Sequence, residues 1–239
     1  MKFKPKWSPP IIRIGAFAAV TAVVLLFGLS VHPIAGNNDI ATASISTPKK
    51  LISLTFDTAL GEDYTGSILD ILDEEGVKAT FFILGAWADE HPAEVSEIAR
   101  RGHELANHGY THKNMASMKM EDARIEMKDC SEAIKRLSGQ EAKLFRAPYG
   151  YYTGELAAAA REMGLLPVAW SIDALDWKEK GENFVLDNVI SQAGSGDIIL
   201  FQTCTEDGAR ALQGIIKRLK ANGYILVKLS ALIEAQYAR

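Results

Sequence analysis

His108 and His112, in the stretch NHGYTHKNM, are the two residues of this chain best spaced to share one metal ion. Four positions apart, two imidazoles project from the same side of a helical turn. Two unrelated surface histidines are the alternative. The chain has five histidines in all. His32 stands in a small, polar stretch, His91 sits beside Pro92 at a helix start, and His103 reads as a strand-edge residue. Asp57 closes the apolar run LISLTF, which has the look of a buried strand. Two histidines and a carboxylate are a common ligand set for a hydrolytic divalent ion such as zinc, with open positions left for water and substrate. Arg146, in FRAPYGYY, can orient Asp57 through a two-pronged hydrogen bond. Asp173 and Asp176, in SIDALDWKEK, can serve the site or act as turn and capping residues. Trp177 beside them suits a pocket wall or plain packing.

These residues share one place in the pattern of the chain. From residue 51 onward the short apolar runs LISLTF, KATFFIL, HELAN, KLFRA, PVAWSI, DIILFQ and YILVKL alternate with stretches whose apolar residues recur at three-to-four spacing. Strands alternating with amphipathic helices build a parallel sheet with helices outside. Gly76, Gly102, Gly139, Gly164 and Gly223 fall where those helices should stop. Asp57, His108, Arg146, Asp173 with Asp176, and Gln202 end or follow the first, third, fourth, fifth and sixth runs. Those are C-terminal strand ends, the face on which parallel α/β barrels assemble a site. Seven strand candidates suit a small barrel better than a wide open sheet.

The start of the chain is different. Residues 1–13 carry Lys2, Lys4, Lys6 and Arg13, and residues 14–31 then run uncharged for 18 positions, enough to cross a bilayer core as a helix. An uncleaved single-pass anchor is expected, its N-terminus inside the cell membrane and its bulk outside. A cleaved signal, leaving a secreted domain, is the alternative, although the nearest small-x-small triplet lies about ten residues past the run. Residues 32–48 read as a tether and residues 49–239 as one domain. Without the four N-terminal basic residues, 22 basic side chains face 30 acidic ones, a net of −8. That balance disfavours nucleic acid and anionic membrane faces, and tolerates an uncharged or mixed-charge glycan. Cys130 and Cys204 could pair outside the cell, but two thiols make no disulfide framework.

Residues 49–235 resemble a polysaccharide deacetylase domain of the NodB homology type, carbohydrate esterase family 4. The resemblance rests on TFD (55–57), HGYTH (108–112), RAPY (146–149), DALDW (173–177) and DIILF (197–201) in order, with ILDILDEEGVKATFFILG after the first motif. The apolar N-terminal run combined with FDTALGED resembles the sporulation-associated branch of Gram-positive bacteria. The family implies a distorted (β/α)7 barrel that removes acetyl groups from N-acetylated sugars of peptidoglycan or chitin-like chains. By the same resemblance Asp57 is the general base, and His108 and His112 hold a divalent metal, zinc or else cobalt or manganese. The backbone N–H of Tyr149 would face the tetrahedral oxyanion. Arg146 would orient Asp57, Asp176 would tune a catalytic histidine, and Trp177 and Leu200 would line the acetyl pocket. Cell-wall glycan is the implied partner.

Two positions depart from that pattern. The family usually has a second aspartate, the third metal ligand, where this chain has Thr58, so metal affinity should fall. Asp57, Glu62 or Asp63 could supply the missing carboxylate. The fifth motif usually ends in a histidine that protonates the departing amine. Here the place is Gln202, whose amide has no titratable proton, and no histidine follows His112. General acid catalysis is typically worth about 10²–10⁴-fold. Water or Glu206 could deliver the proton slowly, with Asp176 left without its partner. Three readings fit: a slow deacetylase of cell-wall amino sugars, which is favoured, a non-catalytic glycan-binding protein on the same barrel, and a membrane-tethered partner with a vestigial pocket.

Overall fold

The computed structural model describes residues 40–59, 61 and 63–237. The expected basic stub, the membrane span over 14–31, the first part of the tether and Glu62 lie outside the described residues. No described helix is long and apolar enough to cross a membrane.

Strand β1 (Leu51–Asp57) sets the architecture through its alternation. Ile52, Leu54 and Phe56 pack outward with apolar residues of the surrounding helices. Ser53, Thr55 and Asp57 take the other face, and all three are buried. Around β1 lie β2 (Thr80–Ile83), β3 (Glu104–Asn107), β4 (Leu144–Phe145), β5 (Leu166–Pro167), β6 (Ile172–Asp173) and β7 (Ile198–Gln202). The hydrogen-bonded order is β5-β4-β3-β2-β1-β7-β6, every pair parallel. The last expected strand is only a stub, β8 (Ile225–Leu226), paired to Leu51 and Ile52. Helices α1 (Thr65–Glu74), α2 (Gly85–Glu90), α3 (Pro92–Arg100), α4 (Met120–Ser138), α5 (Gly154–Glu162), α6 (Glu182–Gln192), α7 (Glu206–Ala221) and α8 (Leu229–Ala235) complete the described elements. The α4 helix stops where Gly139 takes φ 73°, as a left-handed cap requires. The inner face is filled by Phe82, Ala106, Val168 and Ile198, with Leu229 and Leu232 of α8 packed among them.

The sheet is curled and parallel, but among the described residues no continuous ladder closes it into the expected (β/α)7 barrel. Its two edge strands, β5 and β6, are successive pieces of one segment. Val168 N donates to Phe145 O of β4 (2.8 Å), and six residues later Ala174 N donates to Leu200 O of β7 (2.9 Å). The predicted fifth strand is therefore split, and Pro167, which has no N–H, stands at the break. Residues 40–48, expected as tether, pack beside this break. Thr42 N donates to Pro167 O (3.0 Å), Ala169 N donates to Thr42 O (2.8 Å), and Ile45 N donates to Gly196 O (2.9 Å). The Ile45 side chain is buried. A Cβ on Gly196, at φ +89°, would stand 1.8 Å from Ile45 O, so only glycine admits this strap. The packed domain thus begins before Lys49. The strap escaped the sequence reading because two isolated bridges leave no periodic pattern.

His103, expected at a strand edge, stands just before β3 and is buried. Its Nδ1 accepts from Ala79 N (3.1 Å), its ring meets Phe81 edge-on, and its Nε2 is buried without a partner. Burial pushes its pKa down to about 4. Cys130 and Cys204 are both free. Cys130 donates to Ile83 O (3.1 Å), and burial pushes its thiol up to about 12.

Two outcomes are expected. A chain shortened to begin at Lys49 keeps its fold but loses about 2–3 kcal/mol of stability in urea titration, from the burial of Ile45 and its neighbours. Equal stability would show the strap to be passive. The second concerns His103, which gains a proton near pH 6.5 when unfolded but only near 4 when folded. Its contribution, roughly 3 kcal/mol, is complete above pH 6.5 and is lost as pH falls through 4. The urea midpoint of His103→Gln should therefore fall less between pH 7 and pH 4.5 than that of the wild type, and parallel declines would contradict this.

Candidate active site

Arg146 enters the inner face from the end of β4 and has no exposed surface. Its Nη1 donates to Asp57 Oδ1 (2.6 Å), while Nη2 donates to Thr55 Oγ1 and to Ala169 O (both 3.0 Å). The guanidinium lies 4.0 Å over the ring of Phe82. The expected two-pronged grip on Asp57 is thus divided, one prong on the carboxylate and the other on neighbouring strands. Asp57 Oδ2 is left facing His108 Nε2 at 3.5 Å.

His108 is buried, and its Nδ1 lies 2.8 Å from Arg146 O. A carbonyl can only accept, so Nδ1 carries the proton and the Nε2 lone pair points at the carboxylate. Two lone pairs 3.5 Å apart repel unless a cation or proton sits between them. That separation is also the one expected of two ligands at about 2.0–2.2 Å on one tetrahedral ion. Burial holds the His108 pKa below the usual imidazole range and puts that of His112 at about 4, so both rings are neutral near pH 7. The donor chemistry fits a divalent metal.

His112 reaches the site by an unexpected route. Residues 108–112 form no helical turn, and Gly109 and His112 take positive φ (77° and 57°). The His108 and His112 rings still lie 5.3 Å apart, edge to face. The turn is built around Glu126 of α4, which accepts from Tyr110 N (2.8 Å), Thr111 N (2.7 Å) and Thr111 Oγ1 (2.6 Å). Asn107 adds a bond from Gly109 N (2.8 Å) and anchors itself on Met127 O (2.6 Å). Glu126 went unnoticed in the sequence because its partners, two backbone N–H groups and the Thr111 hydroxyl, lie about fifteen residues away. Among the described residues, His112 does not bring a nitrogen within 4.8 Å of both the Asp57 and His108 donor atoms. The one group of three donors that meets this spacing is Asp63, His91 and Glu94. Asp63 is in that second cluster and also caps α1 through Thr65 N and Oγ1, so it does not complete the site at Asp57.

Thr58 has its hydroxyl engaged elsewhere. It is fully buried, its Oγ1 accepts from Leu84 N (2.8 Å), and it lies 3.4 Å from Phe82 O as a donor. Its hydroxyl serves the end of β2. Gln202 stands directly beside Asp57 in the β1–β7 register. Asp176 Oδ2 accepts from Gln202 N (2.9 Å) and Thr205 Oγ1 (2.8 Å), whereas Oδ1 is buried without a partner. Burial raises the Asp176 carboxyl to about 6. Glu206 pairs with Arg210 on the outside of α7 (3.4 Å). Leu200 is buried on the same strand face as Gln202 by two-residue alternation. Asp173 accepts from Leu175 N (2.8 Å), as a turn residue does. Trp177 is exposed, with Nε1 3.4 Å from Asp173 Oδ2. Tyr149 holds φ 63°, is exposed, and meets His112 edge to face at 4.8 Å. The structure therefore gathers Asp57, His108, Arg146 and Gln202, with Tyr149 beside His112.

The chain is similar in sequence and in fold to known proteins. The polysaccharide deacetylase family matches residues 44–168. The peptidoglycan-N-acetylglucosamine deacetylase of Bacillus cereus is 35% identical over 80% of this chain and 71% of its own. Among solved structures, wild-type BA3943 of Bacillus anthracis, described as a CE4 family pseudoenzyme, has a TM-score of 0.77 at 29% identity, covering 80% of this chain and 68% of that one. A BA3943 mutant described as having restored enzymatic activity gives 0.78 at 30% identity, covering 80% and 70%. The chain belongs to the polysaccharide deacetylase family.

Proposed function

We propose that the protein hydrolyses the N-acetyl group of amino sugars in cell-wall glycan, slowly and with a divalent metal. The observation that carries this reading is the carboxylate of Asp57, fixed through Oδ1 by Arg146 and presenting Oδ2 to a His108 nitrogen whose lone pair is free. His108 and His112 would hold the ion, zinc first and cobalt or manganese as substitutes. When bound, such an ion supplies Lewis-acid polarisation of the acetamide carbonyl.

The residues of the chain supply the rest. Asp57 Oδ2 accepts the proton of the attacking water, and Arg146 keeps the carboxylate turned to do so. With the Thr58 hydroxyl engaged at the end of β2, Asp57 would be the carboxylate left to share the ion with His108. The backbone N–H of Tyr149 faces the developing oxyanion, and Trp177 and Leu200 wall the acetyl group. The departing amine needs a proton as the C–N bond breaks. Gln202 cannot give one, so the proton comes from water. Asp176, the tuning residue of the family pattern, is left with one unpartnered oxygen. The proposed place of action is outside the cell membrane, with residues 14–31 as the anchor of a sporulation-type cell-wall protein.

One observation favours a second reading, a glycan-binding protein without turnover: the proton donor is missing at the position directly beside the base. The two separate cleanly. Full-length protein should release acetate from N-acetylglucosamine oligomers or peptidoglycan when Zn²⁺, Co²⁺ or Mn²⁺ is added. Asp57→Asn should lower that release by about 10²–10⁴-fold. Glycan binding with no acetate from the wild type would instead establish the second reading. Breaking a buried ion pair costs about 3–5 kcal/mol, so the variant's urea stability is measured alongside.

Glu126 yields another expectation. Glu126→Ala, which frees the turn between His108 and His112, should weaken Zn²⁺ binding by about 10–100-fold in titration calorimetry. Glu126→Gln keeps one acceptor oxygen and should lose less. Unchanged affinity in both would remove Glu126 from the account.

A further inference from the structure

Asp63, His91 and Glu94 have no part in the proposed chemistry, yet they bring three metal donors together. One atom from each lies within 4.8 Å of the other two. The residues come from segments far apart in the chain. Asp63 stands in the loop between β1 and α1, six positions after Asp57, while His91 and Glu94 belong to the start of α3. Two of the donors are held in place. Asp63 Oδ1 accepts from Thr65 N (3.1 Å) and Thr65 Oγ1 (2.6 Å), which fixes the carboxylate. The His91 ring stacks on Trp87 (centroids 4.9 Å apart, planes 20° apart), and Pro92 keeps the His91 backbone out of the helix. Trp87 is wholly buried and its Nε1 has no acceptor, so an unmet donor also lies against this cluster. Supports of this kind orient the ligands of a metal.

The charges call for a cation. His91 Nδ1 is 4.0 Å from Glu94 Oε2, too far for a hydrogen bond. Among the described residues, neither Asp63 nor Glu94 has a lysine or arginine partner. The α3 dipole favours Glu94 in its first turn, but gives Asp63 no reason to approach. Ligands on a tetrahedral ion stand about 3.3–3.6 Å apart. The Glu94 side chain is 39% exposed, and its rotation closes the remaining gap.

We propose that Asp63, His91 and Glu94 bind a second divalent ion of the zinc type, with water in the fourth position. One imidazole and two carboxylates suit such an ion better than calcium, which takes oxygen ligands alone. The ion ties the loop after Asp57 to the turn between α2 and α3. This site does not depend on the deacetylase reading.

The test is a calorimetric Zn²⁺ titration of the full-length protein, freed of metal beforehand, that reads affinity and ions bound per chain. His108→Ala disables the centre at Asp57 and should leave this site intact. Added to it, Asp63→Asn keeps an oxygen for Thr65 but loses the charge, and should weaken Zn²⁺ binding by at least about tenfold. His91→Ala should do the same. Zn²⁺ should also raise the urea midpoint of His108→Ala more than that of either double variant. Equal Zn²⁺ affinity with and without Asp63→Asn and His91→Ala overturns the site. If His108→Ala does not fold, the wild-type protein should bind two ions, and His91→Ala or Asp63→Asn alone should bind one. A count that neither substitution lowers overturns the site equally. Binding of Ca²⁺ but not Zn²⁺ at these residues overturns the role given to His91.

Discussion

A charged guanidinium with no exposed surface lies inside the curled sheet, and the site is arranged around it. An unpaired charge in such a place would be far too costly, and Arg146 is tolerated because Asp57, Thr55, Ala169 and the face of Phe82 surround it. Those contacts join β1, β2, β4 and the segment that bridges the two sheet edges. The backbone carbonyl of the same arginine accepts the proton of His108 Nδ1 and so sets which nitrogen is free. Trp170, packed against Gly150, lies near the same cation. One side chain thus couples the curl of the sheet, the orientation of the Asp57 carboxylate and the tautomer of His108.

Around that pair, two positions differ from the motif pattern that the sequence resembles, with different consequences. Thr58 has found other work, since its hydroxyl accepts from Leu84 N and steadies the end of β2. A threonine here keeps a stable strand end. Gln202 has no comparable compensation. Its backbone N–H binds Asp176 Oδ2, while Asp176 Oδ1 stays buried and unpartnered, an arrangement that burial makes costly. A buried oxygen without a donor is what loss of an imidazole N–H would leave behind.

Much of this was legible in the sequence because polar residues broke an otherwise regular apolar pattern. Asp57 and Arg146 could be paired from position alone, since both close strands of one parallel sheet. The register that sets Gln202 beside Asp57 came only with the pairing of β1 and β7. What escaped detection depends on contacts distant in the chain. The turn from His108 to His112 was read as helical, yet Gly109 and the backbone N–H groups gathered by Glu126 make it a loop. The split of the fifth strand hangs on one proline and on a strap that pairs through isolated residues. His103 reads like any strand-edge polar residue until the Ala79 N–H that it accepts is known. The cluster of Asp63, His91 and Glu94 likewise exists only once two loops meet.

The central claim is that the site kept its base and imidazole ligands and lost its acid. Acetate release by Gln202→His, measured beside wild type on N-acetylglucosamine oligomers with Zn²⁺ present, tests it most directly. The account predicts a rise of at least about tenfold, within the 10²–10⁴-fold that general acids typically supply. It also predicts that the gain disappears when Asp176→Asn is added, because the new imidazole then loses its carboxylate. A Gln202→His protein that binds metal and glycan yet releases no more acetate than wild type would contradict it.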